Sequence, residues 1–511
     1  MLSSILLALV VVGLGVGVVL SLGRNADYYR PVLYFAKVTE DIEVLQSSGS
    51  AETKVETLGS LIEHRCPSLS RHFKPIWWLF SGHLQTAYSV VGDFSKVDTV
   101  EYERTLLRTL DGGTLGLDFT PPENVRQLPD NTPIIVVLHG LTGDDALLDG
   151  SRERSSDFML GYVSNEALAS GSHESYVRAV LSPACMPASG GGLGYRAVVV
   201  NFRGCAGVPV TSTQLYSAGH TEDIRAAMYF IRKRYPEALL LGLGFSLGAS
   251  VLTHYVAEEG EDCRLAAACV LACPWDLVKN SEALEGNWFH RHVYSKALGA
   301  NLQAIVKQHA AGLTTLPSHP VAQAVAPTLA LRSPALKTFD ETFTRIAGGS
   351  SPPFPFPSAR AYYIWASSHT VLPRVRVPFL AIAAEDDPIV QVLPVHAGRN
   401  GCVAFAVTKK GGHLGWFERG ANGTIGRWFT RPVLEWLKAV GSDMVVRERS
   451  GKPLKEVDGF LMEVGRDNVG CKQVEGGGRV IGTEGEEGLL AAHEGNLPSS
   501  SGLFDDLRAV V

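Results

Sequence analysis

The sequence predicts an α/β protein in which a largely parallel sheet is flanked by helices. Three observations predict it. From Pro133 onward, apolar runs alternate with amphipathic stretches, the pattern of strands joined by crossover helices. One junction, Gly244-Phe245-Ser246-Leu247-Gly248, places small residues where a strand must turn sharply into a helix. The hydrophobic fraction of 45% and charged fraction of 19% are those of a well-cored chain, and 511 residues suffice for one large domain with appendages.

From Ile5 to Leu22 every residue is apolar, glycine or serine. As a helix this run spans roughly 27 Å, close to the thickness of a bilayer's hydrocarbon core. Residues 1–23 are therefore expected to be a single-pass membrane anchor. A cleaved signal peptide is the competing reading, because Ser21-Leu22-Gly23 offers small residues for cleavage, yet no Lys or Arg precedes the run. Arg24, Arg30 and Lys37 follow it, which by the positive-inside rule places the rest of the chain on the cytosolic side. Asn422-Gly423-Thr424 is a glycosylation sequon that would matter only in a lumen.

Residues 24–130 mix short apolar patches with turn signals, including Pro75-Ile76-Trp77-Trp78-Leu79-Phe80, and read as an extension packed on the core. The main domain is expected over residues 131–442. Its strands are expected at Ile134–Leu138, Ala197–Asn201, Leu239–Phe245, Ala266–Ala272, Phe379–Ala383 and Val403–Val407, with helices at Asp223–Arg234 and Leu247–Glu259. Residues 183–194, with three consecutive glycines, read as a loop insertion between a helix and the next strand. The stretch of about 276–373 breaks the alternation with helical segments and a Pro/Phe cluster, and is expected to be an inserted helical cap. Residues 443–511 turn Gly/Glu/Ser-rich, with too little apolar material for a core, and are expected to be a disordered tail.

A net charge of −6 provides no basic field for nucleic acid. The eight cysteines are scattered, without Cys-x-x-Cys or zinc spacing, so they read as reduced and mostly buried thiols. Neither a metal nor an organic cofactor is implied, and protein partners are not specified.

The chemistry is carried by four segments. The Gly244–Gly248 turn has the strand-before, helix-after context of a nucleophile elbow, with Ser246 as nucleophile. A serine hydroxyl needs an adjacent base, oriented in turn by an acid. In this topology the acid and base follow the serine in that order. The apolar run Leu380–Ala384 ends in Glu385-Asp386-Asp387-Pro388, which sets a carboxylate at a strand's C-terminal edge; Asp387 is the choice, with Glu385 and Asp386 as alternatives. Gly411-Gly412-His413-Leu414-Gly415 presents His413 as the base. His254, His290 and His292 lie in helical stretches, where packing or surface roles are expected. Two backbone amides must stabilise the oxyanion, one from the residue after the serine, Leu247, and one from the loop after Ile134–Leu138, Leu141. His139 and Asp144 also form a His-x-x-x-x-Asp spacing like that of histidine-based acyltransferases, read here as accidental.

Taken with Ser81-Gly82-His83-Leu84-Gln85-Thr86, Ser175-Tyr176-Val177-Arg178, Asn201-Phe202-Arg203-Gly204-Cys205-Ala206-Gly207 and Gly219-His220-Thr221-Glu222-Asp223-Ile224-Arg225, these segments give the chain a family likeness. It resembles the α/β-hydrolase-domain lipases of animals, their bacterial relatives and the fungal medium-chain fatty-acid ethyl ester synthase/esterases, the superfamily group that includes monoacylglycerol lipases. The matching segments span roughly residues 60 to 440; the 183–194 insert and the tail depart from the pattern. The resemblance implies an α/β-hydrolase fold with Ser246, Asp387 and His413 as triad. It also implies an acyl ester of medium or long chain as substrate: monoacylglycerol, phospholipid or ethyl ester. With the anchor, it implies residence at the endoplasmic reticulum or lipid droplets. Two alternatives remain: an alcohol O-acyltransferase making ethyl esters from acyl-CoA, and a non-catalytic binding protein on the same fold.

Overall fold

The computed structural model describes residues 26–46, 52–141, 171–395, 400–420, 423–445 and 451–482. The anchor expected at residues 1–23 lies outside these, as do Asp144 and Asn422. Among the described residues, no helix is long and apolar enough to cross a membrane.

In chain order the main strands are β1 (Val32–Phe35), β2 (Val100–Thr109), β3 (Thr114–Thr120), β4 (Ile134–Leu138), β5 (Arg196–Asn201), β6 (Leu240–Phe245), β7 (Ala267–Leu271), β8 (Phe379–Ala384), β9 (Val403–Thr408), β10 (Leu454–Val457), β11 (Phe460–Glu463) and β12 (Arg466–Gly482). Four helices bear on the site: α1 (Gly82–Val91), α2 (Ser175–Cys185), α3 (Glu222–Arg234) and α4 (Leu247–Glu259). The strands and helices expected from Pro133 onward lie within a residue or so of these bounds. The stretch 276–373 is helical and carries no strand.

The chain divides into two compact units, one of Met1–Gly92, Leu240–Ala297 and Arg360–Arg449, the other of Asp93–Leu239, Leu298–Ala359 and Ser450–Val511. In the first, the strands run in the order β1-β9-β8-β7-β6. The four from β6 to β9 are parallel, and β1 closes the edge antiparallel to β9. Every residue of β6, β7, β8 and β9 is buried, which explains why each reads as an unbroken apolar run and not as an alternation. Helix α4 packs on β6 and β7.

In the second unit β4 and β5 are parallel, while β3, β2, β12, β11 and β10 continue from β5 in antiparallel succession. Helix α3 covers β12, β11, β2 and β3, and α2 lies against β5 and β2. Two expectations are corrected here. Residues 24–130 are not an extension laid on the core, because β1, β2 and β3 are strands of the sheets themselves. Nor is 443–511 wholly a disordered tail: residues 454–482 form three strands, and β12 pairs with β2 from Val100 to Thr109. Composition misled here because β12 draws its stability from a long backbone ladder and from one sparse buried row, Val469, Cys471 and Val480. Its glycines serve an irregularity: the register shifts between Val474 and Gly477, and Gly476, Gly477 and Gly478 all have positive φ.

A buried carboxylate organises this unit. Asp118 on β3 accepts from Arg104 Nε at 2.6 Å and Nη2 at 2.7 Å, from Ser172 Oγ at 2.6 Å and from Asn201 Nδ2 at 2.8 Å. Burial alone would raise its pKa, but the Arg104 charge and these donors outweigh burial and hold it below the usual carboxylate range. A depressed pKa means that this stabilisation is present above the unfolded carboxyl pKa and is lost as pH falls through the folded one. Asp118→Ala leaves Arg104 buried and unpaired, and should destabilise the protein by about 3–5 kcal/mol in denaturant unfolding at neutral pH. The gap between variant and wild type should narrow in acid.

Candidate active site

Sequence and topology bring Ser246, Asp387 and His413 to the ends of parallel strands in the first unit. Ser246 follows β6 and immediately precedes α4, with φ 49° and ψ −115°. Such a conformation costs a non-glycine residue about 1–3 kcal/mol. It is held by β6 before it, α4 after it, and the Ser246 N–H donating to Leu271 O at 2.9 Å. The tight turn explains Gly244, where a Cβ would lie 2.8 Å from the Ala249 Cα.

Asp387 follows β8. Its Oδ1 accepts the Ile389 and Val390 amides at 2.8 and 2.9 Å, which fixes the carboxylate and turns Oδ2 to His413 Nδ1 at 2.8 Å. His413 Nε2 is 2.8 Å from Ser246 Oγ. An ionised carboxylate can only accept, so the geometry fits a neutral imidazole that donates from Nδ1 and accepts the serine proton at Nε2. The two alternative acids are engaged elsewhere. Glu385 pairs with Lys409 at 2.5 Å and Asp386 with Lys410 at 3.4 Å; Asp386 Oδ1 also accepts the Gly412 amide at 3.1 Å. Burial raises the Asp386 pKa against the pull of Lys410.

Leu247 is the first residue of α4, as the elbow requires. Leu141 follows the β4–His139–Gly140 turn in the second unit, whose construction is visible. His139 is fully buried: its Nδ1 meets Gly140 O at 2.8 Å and its Nε2 accepts the Phe202 amide at 3.2 Å. Burial lowers its pKa to about 4, so the ring is neutral, with Nδ1–H donating. The Gly140 amide donates to Tyr176 Oη at 2.9 Å, which removes Gly140 from the candidates for an oxyanion donor. With both nitrogens engaged, His139 cannot serve as an accessible base, in keeping with the reading of His-x-x-x-x-Asp as accidental. His254 is buried and bonds Ala366 O, and His292 stacks on Trp288. His290 lies in an aromatic group with His83, Phe289 and Tyr294.

Residues 133–419 match the family model of the alpha/beta hydrolase fold, and the chain belongs to that family. Its fold is the α/β-hydrolase fold, a mostly parallel central sheet flanked by helices. The chain is 30% identical to a monoacylglycerol lipase of Saccharomyces cerevisiae over 80% of its own length and 91% of that protein's. It is 29% identical to medium-chain fatty acid ethyl ester synthase/esterase 2 of the same yeast, over 71% and 85% respectively. It is 27% identical to phospholipase ABHD3 of Homo sapiens, over 80% and 86%. These are the groups whose likeness the motifs carried.

Sequence reasoning gave no role to Gln85, Thr86, Ser89 or Tyr176. The available signal was polar residues at 85, 86 and 89, one side of a short helix that the structure buries.

Replacing the three neighbouring acids one at a time separates them. Asp387→Asn, which presents an amide to Nδ1, should lower kcat by about 10⁴-fold. Glu385→Gln and Asp386→Asn should stay within about tenfold of wild type in the same steady-state assay, since neither faces the ring.

Proposed function

We propose that the chain is a membrane-attached serine hydrolase that cleaves carboxylic esters of medium or long acyl chain through an acyl-Ser246 intermediate. That it is a carboxylic ester hydrolase follows from its family and its lipase and esterase relatives. The observation that carries the proposed mechanism is the relay from Ser246 Oγ through both nitrogens of His413 to Asp387, each step 2.8 Å.

In this reading Ser246 Oγ attacks the ester carbonyl carbon as His413 Nε2 takes its proton. The oxyanion accepts from the amide of Leu247, and Asp387 steadies the imidazolium. Collapse breaks the carbon–oxygen bond, and His413 returns the proton to the departing alcohol. Water, deprotonated by the same imidazole, then attacks the acyl-serine, releasing the fatty acid and restoring Ser246. The names of the relatives, a monoacylglycerol lipase and a phospholipase among them, support a lipid ester as substrate. The apolar run Ile5–Leu22 supports delivery from a bilayer, at the endoplasmic reticulum or lipid droplets. The helical stretch 276–373 is the candidate determinant of acyl-chain preference.

A second reading is favoured by the relative named as a synthase as well as an esterase. An alcohol replaces water in the last step, and an ester is made from acyl-CoA. An inert scaffold has no need of a strained serine hydrogen-bonded to a fixed imidazole.

Purified full-length protein in detergent should react with a fluorophosphonate probe and hydrolyse medium- or long-chain monoacylglycerols or phospholipids; Ser246→Ala should do neither. Equal labelling of that variant would disprove the assignment. Supplying acyl-CoA with ethanol and measuring ethyl ester against free acid decides between water and alcohol as acceptor.

A further inference from the structure

The segment Ser81–Thr86 takes no part in the chemistry above, yet the helix it opens reaches the histidine loop. His413 lies outside any helix or strand, between Gly412 at φ 60° and Leu414 at φ 58°. Its backbone amide and carbonyl must therefore be satisfied by groups from elsewhere. Both partners come from α1. The His413 N–H donates to Thr86 Oγ1 at 2.8 Å, and Ser89 Oγ, whose nearer acceptor is Thr86 O at 2.9 Å, lies 3.4 Å from the His413 carbonyl oxygen.

The same helix continues the clasp along the chain. Gln85 Oε1 accepts the Phe417 amide at 2.6 Å, while its Nε2 donates to Phe417 O at 3.3 Å and Leu79 O at 2.9 Å. At its first turn α1 also meets the turn that carries the acid: a Cβ on Gly82 would sit 1.8 Å from Asp386 O, so only glycine fits. Gln85, Thr86 and Ser89 are all buried.

We propose that α1 is the positioning element of the site and Thr86 the positioning residue that sets the His413 ring between Ser246 Oγ and Asp387. This rests on the reading of those three residues as the catalytic relay. The choice of a hydroxyl has a physical reason. Thr86 Oγ1 donates its own proton to Gly82 O at 2.8 Å, which turns its lone pairs toward the His413 amide. The acceptor is thus fixed in direction as well as place, and the bond runs between two otherwise separate parts of the chain. Valine has nearly the same shape but offers no lone pair. The buried amide would then be unpaired, and the loop must shift to satisfy it.

The test uses full-length protein and a medium-chain p-nitrophenyl ester, with kcat and KM measured separately and the rate of fluorophosphonate labelling followed in parallel. Thr86→Val should lower kcat and the labelling rate by about 10- to 100-fold, the scale of a misplacement of roughly 1 Å, with KM within about threefold of wild type. Thr86→Ser, which keeps the hydroxyl, should restore kcat to within about threefold. If Thr86→Val does not fold by circular dichroism, Thr86→Ala makes the same comparison. A folded variant without the hydroxyl that turns over at the wild-type rate overturns the proposal, as does a Thr86→Ser variant as slow as the valine. Turnover persisting in Ser246→Ala would remove the relay itself, and this proposal with it.

Discussion

The arrangement around the site answers to one hydrogen bond, the 2.8 Å contact between Ser246 Oγ and His413 Nε2. A serine hydroxyl is a poor nucleophile at neutral pH, so the bond is useful only if the ring is held to within a few tenths of an ångström. A side chain gains such precision when both its far end and its backbone are fixed. Asp387 fixes the far end, and is itself fixed by two amides of its own turn. Fully buried parallel strands provide the rigid platform behind both turns, and Ser246 sits in a strained conformation that the flanking strand and helix maintain.

Much of this was legible because the chemistry imposes an order on the chain. A parallel strand buried on both faces is a short apolar run, and Leu240–Phe245, Phe379–Ala384 and Val403–Thr408 could be located to within about a residue. Each ends in residues whose types have a chemical reason to be there. In the sequence Glu385, Asp386 and Asp387 look alike, three carboxylates in a row. What separates them is direction: Lys409 and Lys410 draw the first two aside, and only the third has its second oxygen on the imidazole.

The misreadings share a cause. Residues 24–130 and those after 443 are poor in long apolar runs, whereas their part in the fold is to pair. Strand β2 lies between β3 and β12, and β12 supplies it with a ladder from Val100 to Thr109. Backbone hydrogen bonds carry no signature in side-chain composition, and a bulge built from glycines looks like low complexity. Helix α1 was hidden for a related reason. Its polar residues Gln85, Thr86 and Ser89 look like a solvated face, and only their burial shows them to be satisfied partners of the His413 loop and of Phe417 just beyond it.

His139 and His413 show how little a histidine after a strand says by itself. Each follows an apolar run and adjoins glycine, and each has both ring nitrogens within hydrogen-bonding distance of a partner. For His139 both partners are backbone groups, the ring is wholly buried and neutral, and the Gly140 carbonyl on one side with the Phe202 amide on the other sets its tautomer. Its work is to brace the Gly140 turn, together with Tyr176. For His413 the partners are the Asp387 carboxylate and the Ser246 hydroxyl. The first arrangement can only hold a shape; the second sets a ring nitrogen against a hydroxyl, the geometry that a proton transfer between them needs. That difference in what the two nitrogens face, not the spacing around either residue, distinguishes the histidine at the end of β4 from the one after β9.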